Sequence, residues 1–447
     1  MIFDSDLFMF KKNSLNKEDV ENFYNYSMYL RSEITELIHH AGSGHIGGSF
    51  STVDALLMAY ICGNLSPQNA DSPLRDRVII SHGHISPAVY CTLAAMGYIN
   101  RDTLFSEYRR VPGKYEGHPS IAAKGVDWGS GSLGQGLSVG CGTAMAAKLN
   151  NDIYRSFVFL GDGEHDKGQL TEAMAFASKY SLNSVIAFID FNGLQCSGSV
   201  DEVLPLNLDA RYQAYGWQVF HVDGHDFSQL YQAFRAAYYE KDKPSVIIGK
   251  TIMGKGLPFI ENNCQYHGSL LNLSQLTEAR KIFAPFSHLG NIEISKKAAN
   301  SPAPEISRDF VIRNNKVYSK PAALRSTISP TFIELLSSLP KHRRPIVVDC
   351  DVAPSTGTSD YIKAFPENSV ECGIAENNAA TIAGAMGSCG MNVFFSTFGS
   401  FAFGEPYGQL RSCTMNHAPV KIIATHCGLD VGLDGKTHQC IDYIGLA

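Results

Sequence analysis

The chain has 447 residues, which at roughly 100 to 200 residues per domain predicts two or three domains. Apolar residues make up 44% and charged residues 18%, a globular balance that excludes a disordered or fibrous chain. The 37 basic and 43 acidic residues give a net charge of −6, so nothing calls for nucleic acid or an anionic membrane as partner.

The eleven cysteines are scattered and form no CxxC pair, which reads as reduced thiols in a cytoplasmic protein. The first 22 residues carry several charges and no long apolar run, so no signal peptide is expected. No stretch approaches the roughly 18 to 20 apolar residues of a membrane span.

In chain order, the first predicted element is a helix over 19–41, its start capped by Asn16 and its apolar stripe built from Val20, Phe23, Leu30, Ile34 and Leu37. A glycine-rich turn, Ala41 to Gly48, precedes a second helix over 52–62. Short β-branched runs then alternate with helical ones. Strands are expected at 77–81, 156–160, 184–190, 217–222 and 245–249, and helices at 86–96, 135–149, 170–181 and 228–239. That alternation predicts a parallel sheet buried on both faces. The stretch 284–330, rich in Pro, Ser and Asn, reads as a linker. A second α/β region follows, with strands at 345–350, 369–374, 392–396 and 420–425 and helices at 331–338, 377–389 and 404–415.

Two glycine motifs compete for attention. Gly129-Ser-Gly131-Ser-Leu133-Gly134 spells GxGxxG, but the preceding residues do not read as a strand, so the dinucleotide reading fails its context. A loop that offers backbone N–H groups to some other diphosphate fits better. The stronger signal is Gly161-Asp162-Gly163-Glu164 at the end of one strand and Asp190-Phe191-Asn192-Gly193 at the end of the next. In a right-handed βαβ unit both loops emerge at the carboxyl edge. A carboxylate and an amide oxygen then converge, hard donors that suit Mg²⁺ or Ca²⁺ bound to a diphosphate. Taken singly, each is an ordinary Asp-Gly or Asn-Gly turn; the spacing of the pair favours the metal.

The spacing of Gly161-Asp162-Gly163 and Asn192 resembles the thiamine diphosphate signature. The surrounding sequence resembles transketolases: Ala41 to Gly48, Gly117-His118-Pro119, Gly131 to Gly136, Asp190 to Gln195, Gly373-Ile374-Ala375-Glu376-Asn377 and Asp434 to Gln439. The resemblance implies an α/β thiamine diphosphate-binding fold of two doubly wound parallel-sheet domains, the second incomplete. Residues 1–285 would form the diphosphate-binding domain, 286–324 a linker and 325–447 part of the pyrimidine-binding domain, with the C-terminal domain absent. The implied activity is transfer of a two-carbon ketol unit from a ketose phosphate to an aldehyde. A relative that decarboxylates 2-oxoacids, and a non-catalytic scaffold or remnant, are the alternatives.

The resemblance also implies roles. Asp162, Asn192 and Leu194 would hold the cation. His84, Gly131, Leu133 and Gly163 would line the cofactor with Phe398, Phe401 and Glu376, whose carboxyl group would share a proton with the aminopyrimidine. His45, His118, His267, His426 and His438 would serve catalysis. His45, Arg325, Ser355 and Asp434 would contact the sugar phosphate substrate. The family places its cofactor between subunits, so the expected partners are a second copy and a second polypeptide that completes the fold. Lys167 stands where the family usually has Glu, and Gly404 where it has a larger residue.

Overall fold

The computed structural model describes residues 2–294, 322–429 and 431–447. The described residues divide into two units. One holds those up to 140 and those from 153 to the first break; the other holds 141–152 and those from 322 onward.

The first unit is built on five strands: β1 (Arg77–Ile80), β2 (Ser156–Gly161), β3 (Val185–Phe191), β4 (Gln218–Asp223) and β5 (Ser245–Lys250). All pair in parallel, in the order β1-β2-β3-β5-β4. Val158, Phe159, Ile186, Phe188 and Ile247 are buried because helices cover both faces of the sheet. The helices of this unit are α1 (Lys17–Ala41), α2 (Ile46–Cys62), α3 (Ser86–Ala95), the first residues of α4 (Gly136–Asn150), whose remainder belongs to the second unit, α5 (Gly168–Lys179), α6 (Phe227–Tyr238) and α7 (Leu273–Phe283). An α/β architecture with parallel sheets was the sequence expectation, and it is what the fold shows.

Helix α1 starts at Lys17, two residues before the predicted 19, with Asn16 as its cap as expected. Asn16 and Asp19 form a reciprocal capping box, each side chain accepting the other's backbone N–H at 2.8 Å. One face buries Phe23, Leu30, Ile34 and Leu37, each adding about 1.5 to 3 kcal/mol of burial free energy. Arg31 on the same helix donates two bonds of 2.9 Å to Asp54 of α2. Asp54 also takes a 2.7 Å contact from His225.

Several expected boundaries need correction. Helix α2 begins at Ile46, not at residue 52, so Gly47 and Gly48 lie inside it. A methyl group on Gly47 would stand 2.7 Å from Met253 Cγ, and one on Gly48 would stand 3.3 Å from His84 Nε2. These glycines are there for close approach, not to break the helix. The predicted linker also starts too early. Ile292 is buried, and Glu293–Ile294 pairs with Ile2–Phe3, which ties this segment to the first unit. Residues 295–321 of that linker lie outside the described residues. Its far end is wrong as well: the helix α8 (Ala322–Leu336) begins before 325 and carries Pro330 within it.

The second unit has β6 (Ile346–Asp349), β7 (Ser369–Glu371), β8 (Val393–Phe398) and β9 (Val420–Thr425), all parallel in the order β7-β6-β8-β9. Helices α9 (Glu376–Ser388) and α10 (Tyr407–Met415) follow β7 and β8. A π-helical turn, Ser400–Gly404, occupies the start of the stretch expected to be α10, so that helix begins three residues late.

Candidate active site at the carboxyl edge of each sheet

In the first unit the loops after β1, β2 and β3, the start of α2 and the segment after β5 supply the site. Asp162 follows β2 directly and is 3% exposed. Its carboxylate accepts the backbone N–H of Gly163 at 2.7 Å and of Gly193 at 2.6 Å. The second bond fastens the β2 loop to the β3 loop. Asn192 Oδ1 accepts the N–H of Leu194 at 3.0 Å, and its amide donates to Asp190 at 3.2 Å. The structure thus brings Asp162, Gly163, Asn192 and Leu194 into one neighbourhood.

Burial pushes the Asp162 carboxyl up to about 7, helped by the negative charge of Asp190 and opposed by the surrounding N–H groups. None of the described ion pairs includes Asp162. A buried carboxylate of this kind is relieved by a cation. Carboxylate, side-chain amide and backbone carbonyl oxygens are the donor set of Mg²⁺ or Ca²⁺, so the residues fit the ion. Among the described residues no group of three His, Cys, Asp or Glu side chains could hold a metal, and this mixed set includes only one of them.

Four of the predicted histidines converge beside that loop pair. His45 is the residue before α2. Its ring lies 5.6 Å from His84, 6.5 Å from His118 and 5.5 Å from His267, and His84 lies 4.8 Å from His267. Burial, and then the neighbouring His267, Arg109 and His118, push His45 down to about 4. Burial likewise lowers His84, His118 and His267. The cluster is therefore neutral at pH 7, each ring holding one donor and one acceptor nitrogen.

The glycine loop lies against this cluster. Among residues 108–135 there is no strand, so the GxGxxG stretch lacks the context of a dinucleotide site. Gly131 faces the His118 ring, and Leu133 is exposed. A methyl group on Gly83 would meet Ser130 Oγ at 2.6 Å and His118 at 3.1 Å. The Ser130 hydroxyl is buried without a hydrogen-bond partner, an orphan polar atom in the wall that would face a bound diphosphate.

Sequence reasoning missed four contributors. Arg109 points its guanidinium at His45 Nδ1, 3.4 Å away. Glu164 accepts from Ser81, from Gly134 N at 2.6 Å and from Gly161 N at 2.9 Å, and so clamps the glycine loop to the end of β2. Burial pushes its carboxyl up to about 7. Asp190 accepts from Ser51 at 2.6 Å, from Thr52 at 3.0 Å and from Thr251. His82 reaches Thr52 Oγ1 at 3.2 Å. Asp190 and Glu164 stood inside quoted motifs; Arg109 had no motif to mark it.

In the second unit Glu376 opens α9, half-buried. Phe398 and Phe401 stack, with ring centres 5.9 Å apart and planes at 22°. His426 lies 4.1 Å from Phe398, and His438 lies 5.3 Å from Phe401. The four rings form one cluster at the ends of β8 and β9. Ser355 and Asp434 are exposed on separate turns. Arg325 is in α8, and its side chain lies outside the described residues. The predicted set is thus divided between the two units.

Residues 25–300 match the family described as transketolase, thiamine diphosphate binding domain, and residues 322–446 match transketolase, pyrimidine binding domain. Transketolase-like protein 2 of Mus musculus is 32% identical over 386 residues, covering 84% of this chain and 60% of its own length. Human transketolase is 30% identical over 429 residues, 93% of this chain and 67% of its own. One of the subunits of apulose-4-phosphate transketolase from Phocaeicola vulgatus is 36% identical over 254 residues, 56% of this chain and 89% of its own. Transketolase from Campylobacter jejuni superposes with a TM-score of 0.78 at 24% identity, over 96% of this chain and 73% of that one. The chain spans 60% to 65% of the length of the transketolase-like protein 2 relatives. The match extends over both units, and the chain belongs to the transketolase family.

Proposed function

We propose that the chain is a transferase that moves a two-carbon ketol unit from a ketose phosphate to an aldehyde, with thiamine diphosphate and Mg²⁺ or Ca²⁺. The observation that carries this reading is the neutral cluster His45, His84, His118 and His267 beside the Asp162–Asn192 loop pair. Thiamine diphosphate, when bound, supplies the electron sink that protein side chains lack.

The chain's residues do the rest. Asp162, the Asn192 amide oxygen and the Leu194 carbonyl would hold the cation, and Gly131, Leu133 and Gly163 would leave room for the diphosphate. Phe398 and Phe401 present flat faces for an aminopyrimidine, and Glu376 would hold a proton at its N1′ atom. The neutral imidazoles can each accept a proton from a sugar hydroxyl or give one to a carbonyl oxygen, a contribution of roughly 100- to 10,000-fold. His426 and His438 would act likewise from the second unit, and Asp434, Ser355 and Arg325 would meet the sugar phosphate. The Arg109 guanidinium adds a cation for the phosphate end.

A second polypeptide is proposed to complete the assembly, which would then pair with another copy. The Phocaeicola vulgatus relative, whose name makes it one of several subunits, supports this. So do Leu429, Leu433, Ile441 and Ile444, four exposed apolar side chains close together in sequence that a covering segment would bury. Eleven free cysteines support a cytoplasmic setting; among the described residues no helix is long and apolar enough to cross a membrane.

The test follows a ¹³C-labelled ketose phosphate with an aldehyde acceptor, thiamine diphosphate, Mg²⁺ and the co-purified partner. Two labelled carbons passing to the acceptor are expected. Release of CO₂ from a 2-oxoacid donor, with no transfer from any ketose, would replace this reading by the decarboxylating one.

A further inference from the structure

The second unit carries a pair of thiols that the proposed reaction does not use. After β9 the backbone turns at His426, which has a φ of 55°. Cys427 follows, and Gly428 exchanges two backbone hydrogen bonds with Cys440. The Gly428 N–H donates to the Cys440 carbonyl at 2.7 Å, and the Cys440 N–H donates back at 3.2 Å. The backbones on either side of the loop are therefore fixed side by side.

The side chains approach a common point as well. A methyl group placed on Gly399 would lie 2.6 Å from Cys427 Sγ and 3.3 Å from Cys440 Cβ. Both side chains share the space above one glycine. Only a residue without a side chain at 399 leaves that space to them. The Cys440 side chain is buried, at 2% exposure, whereas Cys427 is half-buried and open to small molecules.

We propose that Cys427 and Cys440 are a reversible thiol–disulfide pair, an oxidation site for peroxides that ties the His426 turn to the His438 loop. The chemistry balances in two steps. The Cys427 sulfur attacks hydrogen peroxide, breaks the O–O bond, and becomes a sulfenic acid with loss of one water. The Cys440 sulfur then attacks the Cys427 sulfur, forms the S–S bond and displaces a second water. Two thiols have lost two electrons and two protons, and the peroxide has gained them. A small dithiol reverses the result by exchange.

The local electrostatics set the pace. Burial, and then its neighbour Cys440, push the Cys427 thiol up, and burial pushes Cys440 up. The thiolate is the reacting form, so oxidation accelerates with rising pH, and both thiols hold their protons to higher pH than a free cysteine does. The bond would join the loops that carry two of the four clustered rings, His426 and His438.

The test is peptide mapping of the whole chain by mass spectrometry, without reduction, before and after hydrogen peroxide. The expected product is one cross-linked peptide containing Cys427 and Cys440, lighter by two hydrogens, lost on adding dithiothreitol, and formed faster at alkaline pH. In Cys427→Ser the cross-link is absent and Cys440 still takes up an alkylating agent. Three results would overturn the proposal: Cys427 driven to a sulfinic acid with Cys440 still alkylatable, either cysteine linked instead to another such as Cys372 or Cys389, or both still alkylatable after peroxide has oxidised the methionines. Should the variant fail to fold, the map of the unaltered chain decides alone.

Discussion

Arg109 is the residue whose loss best separates binding from chemistry. Its guanidinium is 3.4 Å from His45 Nδ1, and its Nε reaches Tyr108 at 3.3 Å. In the proposed reaction it meets the phosphate end of the substrate and not the reacting carbons. Arg109→Ala should raise KM for a phosphorylated sugar about 10-fold, the equivalent of about 1.4 kcal/mol, with kcat nearly unchanged. An equal fall in kcat would place the arginine at the reacting centre instead. His45 gives a pH test. Its folded value is lowered to about 4, below the roughly 6.5 of the unfolded chain. The unfolded state therefore takes up the proton first, and stability falls as pH drops below 6.5 until the folded ring also protonates near 4. The urea midpoint should decline across that window, and His45→Asn should flatten the decline. An unchanged slope in the variant would contradict a desolvated, neutral ring. The histidines, Asp162 and Asn192 were legible because each stands in a motif at a strand or helix end. Arg109 was not. Nothing in the sequence near residue 109 signals that the loop carries its side chain back to the start of α2.

At the scale of elements, close approach between loops holds the site together. The Gly83 turn after β1 lies against Ser130, Gly131 and His118. Gly83→Ala should cost about 1 to 3 kcal/mol by overpacking and should also weaken cofactor binding, because the glycine loop must shift. Stability lost with cofactor affinity intact would show that the turn is structural only. The pair Arg31 and Asp54 joins α1 to α2, with side chains 3% and 4% exposed. Asp54→Ala leaves a buried guanidinium without its carboxylate and should cost about 3 to 5 kcal/mol in urea unfolding. A loss under about 1 kcal/mol would mean that water replaces the partner. The central strands β2, β3 and β5 were legible, since their apolar runs are buried on both faces. The boundaries that failed did so for local reasons. Glycines read as helix breakers proved to be packing sites in α2, and Pro330, read as linker, falls within a helix that begins at Ala322.

For the whole molecule, the proposed site residues come from both units. His45, His84, His118, His267 and the Asp162–Asn192 pair belong to one, and Glu376, the Phe398–Phe401 pair, His426 and His438 to the other. The sequence made the family and the α/β class legible through motif order, but not which loops each motif would touch. The Glu164 clamp, with donors from two loops and the end of β2, appears only once the chain is folded. Calorimetric titration of thiamine diphosphate in the presence of Mg²⁺, with and without the co-purified partner, tests the central claim most directly. Saturable binding that requires Mg²⁺ and is lost in Asp162→Ala is the predicted result. A folded chain that binds no thiamine diphosphate in either preparation, or one whose binding survives Asp162→Ala undiminished, would contradict it.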